Sequence, residues 1–200
     1  MIFVTVGAQM PFDRMVRAVD EWATARGRTD VFAQISETDY RPKHIEWTAF
    51  LEPAEFRERV EQSRVLVAHA GMGSILTALE SGKPILVMPR RGDLRETRND
   101  HQVATAERFL SLGKVAVAMD EHELPTRLDA IDQLSATGRI SPWASDRLIQ
   151  AVAGFINGAT STGLRVVDQR GQDVTASRLN VASRCRENHG AASIVNGIRP

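Results

Sequence analysis

Short runs of consecutive apolar residues alternate along the chain with longer stretches whose apolar positions recur every three or four residues. Ile2–Val6 (IFVTV) is rich in β-branched residues and reads as a strand closed by Gly7. From Phe12 to Arg26, Met15, Val16, Val19, Trp22 and Ala23 fall at helical spacing. Val31–Ile35 predicts a second strand and Ile45–Ala49 a short third. Pro53 suits the first turn of a helix that runs to about Ser63, with Phe56 and Val60 on one face. Val65–Ala68 is apolar throughout, as expected of a strand covered on both sides. Gly73–Ser81 predicts a short helix stopped by Gly82 and Pro84. A strand at Ile85–Met88, a helix over Asn99–Leu112 ended by Gly113, and a last strand at Val115–Met119 follow. Two helices, near Leu124–Leu134 and Ser145–Ile156, close the pattern. Alternation of strand and helix predicts an α/β fold, a Rossmann-like parallel sheet with helices on both faces.

The pattern stops after residue 157. Residues 158–200 hold six arginines against three acidic residues, no aromatic residue and no apolar period. The expected organisation is one folded domain over 1–157 and a disordered tail over 158–200. Hydrophobic residues make up 42% of the 200, enough for a core. Basic and acidic residues balance at 25 each, which argues against a nucleic-acid partner or a polybasic membrane binder. The single cysteine, Cys185, excludes a disulfide framework and a cysteine-rich zinc site. No apolar run approaches the roughly 18 residues of a membrane span, and no basic leader precedes the first strand. The reading is a cytoplasmic protein.

In an open parallel sheet, ligands bind at the carboxyl ends of the strands. Three loops there are unusual. After Ala68 the chain reads His69-Ala70-Gly71-Met72-Gly73-Ser74 and enters a helix directly. Two glycines allow close backbone approach, and a helix N-terminus offers free N–H groups and partial positive charge, a combination that suits phosphate. Ser74 is placed to cap that helix or to bond a phosphate oxygen. An ordinary tight strand-to-helix turn explains the same residues equally well. The motif is neither a dinucleotide fingerprint nor a Walker A loop nor a nucleophile elbow. After Val6, Gly7 permits a tight turn and Gln9 can reach a ligand, although taken alone the segment is more simply a plain βα loop. After Pro89 the chain carries Arg90, Arg91, Arg95 and Arg98, then Asn99, Asp100, His101 and Gln102 at a helix start. Those polar groups fit a sugar and phosphate contact surface, with Arg–Asp/Glu pairing and helix capping as the plainer explanations. No Asp-x-Asp and no HExxH spacing occurs, so no metal is expected.

Taken in order, FVTVGAQMPFDRMVRAV, VLVAHAGMGSILTALESGKPILVMPRR and RNDHQVATAERFLSLG resemble the C-terminal domain of glycosyltransferase family 28. This is the donor-binding half of the MurG-like GT-B enzymes. The likeness covers about Met1 to Leu134. It is closer to the stand-alone versions of the domain: the catalytic subunit of the split UDP-GlcNAc transferase of the dolichol pathway, and bacterial exopolysaccharide subunits of the PssE glucuronosyltransferase type. The resemblance implies a UDP-sugar donor, a lipid-linked saccharide acceptor and a membrane-anchored partner subunit supplying the acceptor half. It also implies inversion at the sugar without a metal, and a place at the inner face of the membrane through the partner. Gly71, Gly73 and Ser74 would cradle the diphosphate and His69 would line that site. Asp100, His101 and Gln102, with Asn99 beside them, would meet sugar hydroxyls, while Gly7 and Gln9 would border the cleft. The sequence departs from the family at Ala8, where a threonine is usual, and at Thr77, where a ribose-binding glutamate is usual. The arginine run, Arg91 within it, favours a uronic acid such as glucuronic acid as the sugar. The alternative is a UDP-sugar-binding or regulatory module without turnover of its own.

Overall fold

The computed structural model describes residues 1–141 and 143–156, so the expected tail lies outside the described residues. The chain divides into two compact units, Met1–Pro142 and Trp143–Pro200. In the second, the described element is one amphipathic helix, α6 (Asp146–Ile156), started by Ser145, whose hydroxyl accepts the Leu148 N–H at 3.3 Å. The division falls ahead of this helix. No helix among the described residues is long and apolar enough to cross a membrane.

In the first unit six parallel strands lie in the order β3-β2-β1-β4-β5-β6. They are β1 (Ile2–Thr5), β2 (Val31–Gln34), β3 (Glu46–Thr48), β4 (Val65–His69), β5 (Ile85–Met88) and β6 (Ala116–Val117). The helices are α1 (Asp13–Arg26), α2 (Pro53–Gln62), α3 (Met72–Glu80), α4 (His101–Ser111) and α5 (Leu124–Asp129), with a 3₁₀ turn at Ile131–Gln133. Alternate side chains of each strand feed two cores. Ile2, Val4, Val65, Val67, Leu86 and Met88 pack with Met15, Val19 and Trp22 of α1 and with Leu124 and Leu128 of α5. Phe3, Leu66, Ala68, Ile85 and Val87 pack with Val60 of α2, Ile75 and Leu79 of α3 and Ala106 of α4. The central strands are apolar on both sides because helices cover both sides, as their sequences require.

The expected elements are present, with shifted ends. Pro53 occupies the first turn of α2, behind a reciprocal Glu52–Glu55 capping box. Gly27 ends α1 in the left-handed conformation, φ 62°, its amide returning to Ala23 and Thr24. The last strand shortens to Ala116–Val117, and α4 starts at His101 rather than Asn99. Asp100 is drawn off as an acceptor for the Gly92 N–H (2.8 Å), and Asn99 as the partner of the His101 amide and ring.

One buried carboxylate organises the crossover between β2 and β3. Asp20 of α1 accepts the backbone N–H groups of Lys43, His44 and Ile45 at 2.9–3.1 Å, and the Tyr40 hydroxyl at 3.1 Å. Burial opposes the charge, and these four donors outweigh it, so the carboxyl is held below its usual range.

Candidate functional site

The strand order reverses between β1 and β4, and the loops leaving those two strands diverge there. A cleft of about 910 Å³ opens at this point, on the carboxyl side of the sheet. One wall is the loop from Gly7 to Met10, the floor is His69, and another wall is the start of α3. Phe50, Leu51, Pro53, Phe56 and Arg57 form one end, and Thr97, His101 and Gln102 the other.

His69 explains two of the glycines. A Cβ at Gly7 would stand 2.7 Å from the ring Cε1, and one at Gly71 would stand 2.2 Å from Nε2. Neither position admits a side chain while the ring stays where it is, and Gly7 also has a φ of +79°. Burial, reinforced by the nearby Arg90 charge, pushes the imidazole down to about 4 against the pull of the Thr5 carbonyl. His69 is therefore neutral at neutral pH. Its Nδ1 faces the Ser74 hydroxyl at 3.4 Å.

Gly73 is of another kind. It sits inside α3 with ordinary helical φ, and a Cβ there would meet no protein atom within 4 Å. Nothing in the fold requires glycine at this position, although glycine in a helix costs about 0.5–1 kcal/mol relative to alanine. Its missing side chain faces the cleft.

The N-terminus of α3 is bare. No side chain caps it and no acidic residue lies in its first turn, whereas α1 begins on Asp13 and α2 on its glutamate pair. Ser74, expected to cap the helix or to bond a phosphate oxygen, lies two residues inside the helix, makes no cap and turns toward His69. The amides of the first turn and the positive end of the helix thus face the cleft without an internal anion.

The 90–100 loop is held by Arg90, Arg14 and Glu96. Arg14 grips the Glu96 carboxylate with two bonds of 2.8 and 2.7 Å and reaches Glu121 at 2.6 Å. Arg90 is buried, its guanidinium turned onto backbone carbonyls. Its own N–H is accepted by the Gln102 Oε1 at 3.2 Å. That bond holds the amide of Gln102, which lines the cleft.

Of the residues singled out from sequence, Gly7, Gln9, His69, Gly71, Gly73, Ser74, Thr77, His101 and Gln102 come together around the cleft. Arg91, Asn99 and Asp100 do not line it. Arg91 pairs with Asp93 at 2.7 Å, and Arg95 and Arg98 are also outside the lining. The sequence reading missed the end formed by Phe50, Leu51, Phe56 and Arg57, and it missed Gln34. Gln34 is buried at the end of β2, accepts the Thr5 hydroxyl at 2.7 Å, and donates to the carbonyls of Gly7 (3.1 Å) and Ala49 (3.0 Å). It ties the Gly7 loop to the segment carrying Phe50. A glutamine ending the apolar run VFAQ was the available signal; Phe50 had none.

The family model of the glycosyltransferase family 28 C-terminal domain matches residues 1–137. The chain belongs to that family. No curated protein matches it. Among solved structures, the family 28 domain is similar to ALG13, solved by NMR, with 19% identity and a TM-score of 0.50 over 76% of this chain and 93% of that one. It is similar to a Listeria monocytogenes protein assigned as a UDP-N-acetylglucosamine 2-epimerase, with 14% identity and a TM-score of 0.54 over 78% of this chain and 45% of the other. It also matches the glycotransferase of kitacinnamycin at 23% identity and a TM-score of 0.49, over 78% of this chain. The family 28 domain spans 38% of that glycotransferase. At these identities the first two likenesses are of fold.

Proposed function

We propose that this family 28 domain is the donor-binding subunit of an inverting glycosyltransferase that transfers a hexose derivative from a UDP-sugar to a lipid-linked saccharide acceptor. The observation that carries the reading is Gly73. It is a helical glycine the protein itself does not need, placed beside an uncapped helix N-terminus in the cleft. A diphosphate bound there takes its hydrogen bonds from the first-turn amides of α3 and from Ser74, and its leaving charge is stabilised by the same amides. His69, being neutral, contributes polarity and shape to the floor without a net charge. Gln102 presents its NH₂ group to the sugar. At the other end Phe50, half-exposed, offers a ring face to the base, and Thr77 offers a hydroxyl to the ribose.

No divalent ion is needed in this scheme, because the helix end meets the diphosphate charge. Acceptor deprotonation is assigned to a partner. Of the two carboxylates lining the cleft, Glu96 is engaged by Arg14 and Glu80 lies near the far end of α3. Met10, Phe50 and Met72, each more than 40% exposed around the mouth, support a second half closing over it. A membrane-anchored partner would hold the complex at the inner face of the membrane, and a role in exopolysaccharide assembly rests on the resemblance to those subunits. Glucuronic acid as the sugar rests on that resemblance too, since Arg90 is committed to backbone carbonyls and Arg91 to Asp93.

Calorimetry with UDP tests the binding, and transfer from UDP-sugar with the partner added tests the chemistry. Binding without transfer in the complete complex would favour a regulatory module. No UDP binding at all would overturn the reading.

A further inference from the structure

Arg90 is 4% exposed and lies against the cleft from below. Its Nη1 donates to the carbonyls of Pro11 (2.8 Å) and Glu96 (3.4 Å), and its Nη2 to those of Val6 (2.7 Å) and Met10. Its cationic carbon sits 5.0 Å from the centre of the Phe12 ring. These contacts solvate the guanidinium with dipoles and a ring face, and they join the β1–α1 loop to the 90–100 loop.

What they do not do is neutralise it. Among the described residues Arg90 makes no ion pair. Glu96 is the acid whose charge acts on it, but both Glu96 oxygens are taken by Arg14, which also pairs with Glu121, so two arginines and two glutamates balance while Arg90 itself bonds no carboxylate. A buried guanidinium that bonds no carboxylate is expensive and is retained where something else meets it. Holding two loops together needs donors; it does not need a full charge. The guanidinium lies beneath the same floor as His69, whose ring registers the Arg90 charge.

Resting on the UDP reading, we propose that Arg90 is a positioning residue whose guanidinium, bonded to no carboxylate, also attracts the anionic group of the ligand through the cleft floor. A group acting this way adds to the affinity for a diphosphate and adds nothing for the uncharged nucleoside. Loss of loop geometry alone weakens both.

The test compares UDP with uridine by calorimetry on the full chain, for the unmutated protein, Arg90→Met, Arg90→Gln and Arg90→Lys, with cooperative melting checked for each. At an effective dielectric of about 20, a unit charge roughly 8–12 Å away changes the diphosphate affinity roughly ten- to thirtyfold. The ratio of UDP to uridine affinity should fall by about that factor in the Met and Gln variants. It should survive in Arg90→Lys, even where absolute affinities drop. The salt dependence of UDP binding should flatten in the two neutral variants. Equal losses for UDP and uridine would reduce Arg90 to a structural clasp. If the neutral variants fail to fold, Glu96→Gln decides: removing the acid whose charge acts on Arg90 should raise the ratio of UDP to uridine affinity, and an unchanged ratio overturns the charge role. Absence of UDP binding by the unmutated protein would overturn the nucleotide reading, and this proposal with it.

Discussion

The two glycines flanking Met72 should respond in opposite ways to the same substitution. Gly71→Ala places a methyl 2.2 Å from His69 Nε2 and 2.8 Å from Cδ2, in a backbone conformation (φ −86°, ψ 139°) that alanine adopts without strain. The whole effect is therefore steric. The ring would have to move by about an ångström, and it is boxed in by Gly7. Overpacking of this kind costs about 1–3 kcal/mol. At the midpoint, about 2 kcal/mol, the melting temperature should fall by about 4–8 °C. Gly73→Ala meets no protein atom and lies inside α3. It removes a helix-weakening glycine and restricts the unfolded chain, so it should stabilise by about 0.4–1 kcal/mol, roughly 1–4 °C. The same methyl stands where the proposed diphosphate would lie. UDP affinity should drop at least about tenfold, and Gly73→Val should abolish it. Thermal melting and calorimetry on the two alanine variants give all four numbers. If Gly73→Ala binds UDP within about twofold of the unmutated protein, or melts several degrees lower, the assignment of Gly73 to ligand approach is wrong.

Asp20→Asn should destabilise the domain by about 1–3 kcal/mol at pH 7, since it weakens an acceptor for four donors. The Asp20 carboxyl lies below its ordinary range when folded, so its contribution is present above the unfolded value near pH 4. That contribution is lost as pH falls through the folded value. The stability gap between Asp20→Asn and the unmutated protein, read by denaturant titration, should narrow on going from pH 7 to pH 3; a constant gap would contradict the assignment. Phe50→Ala should weaken uridine and UDP alike, by about 1–3 kcal/mol if the ring stacks on the base, and equal affinities in calorimetry would remove Phe50 from the site. Transfer by the complete complex should survive EDTA, and loss on chelation restored by Mg²⁺ would overturn the metal-free scheme. Competition between UDP-glucuronic acid and UDP-GlcNAc for the cleft addresses the sugar, with tighter binding of the uronate expected and preference for UDP-GlcNAc counting against it.

The sheet was legible because burial on both faces forces continuous apolar runs: VLVAH and ILVM admit few other readings. Helix ends were less legible, since Asn99 and Asp100 resemble a first helical turn until their loop partners are known. Around the cleft, Gly71 and Ser74 were found by pattern, but the reason for Gly71 was not. It depends on the position of the His69 ring, two residues away in sequence and fixed by tertiary packing. The arginine run misled for a related reason. A sequence shows how many guanidinium groups a loop carries and not which are already satisfied. Arg90 turns inward to carbonyls of the β1–α1 loop, some 80 residues earlier in the chain, and Arg91 closes on its neighbour Asp93. Gln34 and Phe50 belong to the site only because β2 and β3 end beside β1, a fact of strand order and not of local sequence.

The most direct measurement is a UDP titration of the ¹⁵N-labelled chain followed by amide chemical shifts. Binding at the cleft should move the amides of Gly71, Met72, Gly73 and Ser74 most, with Gly7 and Leu51 following, at the same concentrations with and without EDTA. Saturable shifts centred elsewhere, such as between α1 and α5, or no saturable shift near Gly73, would contradict nucleotide binding at the α3 N-terminus.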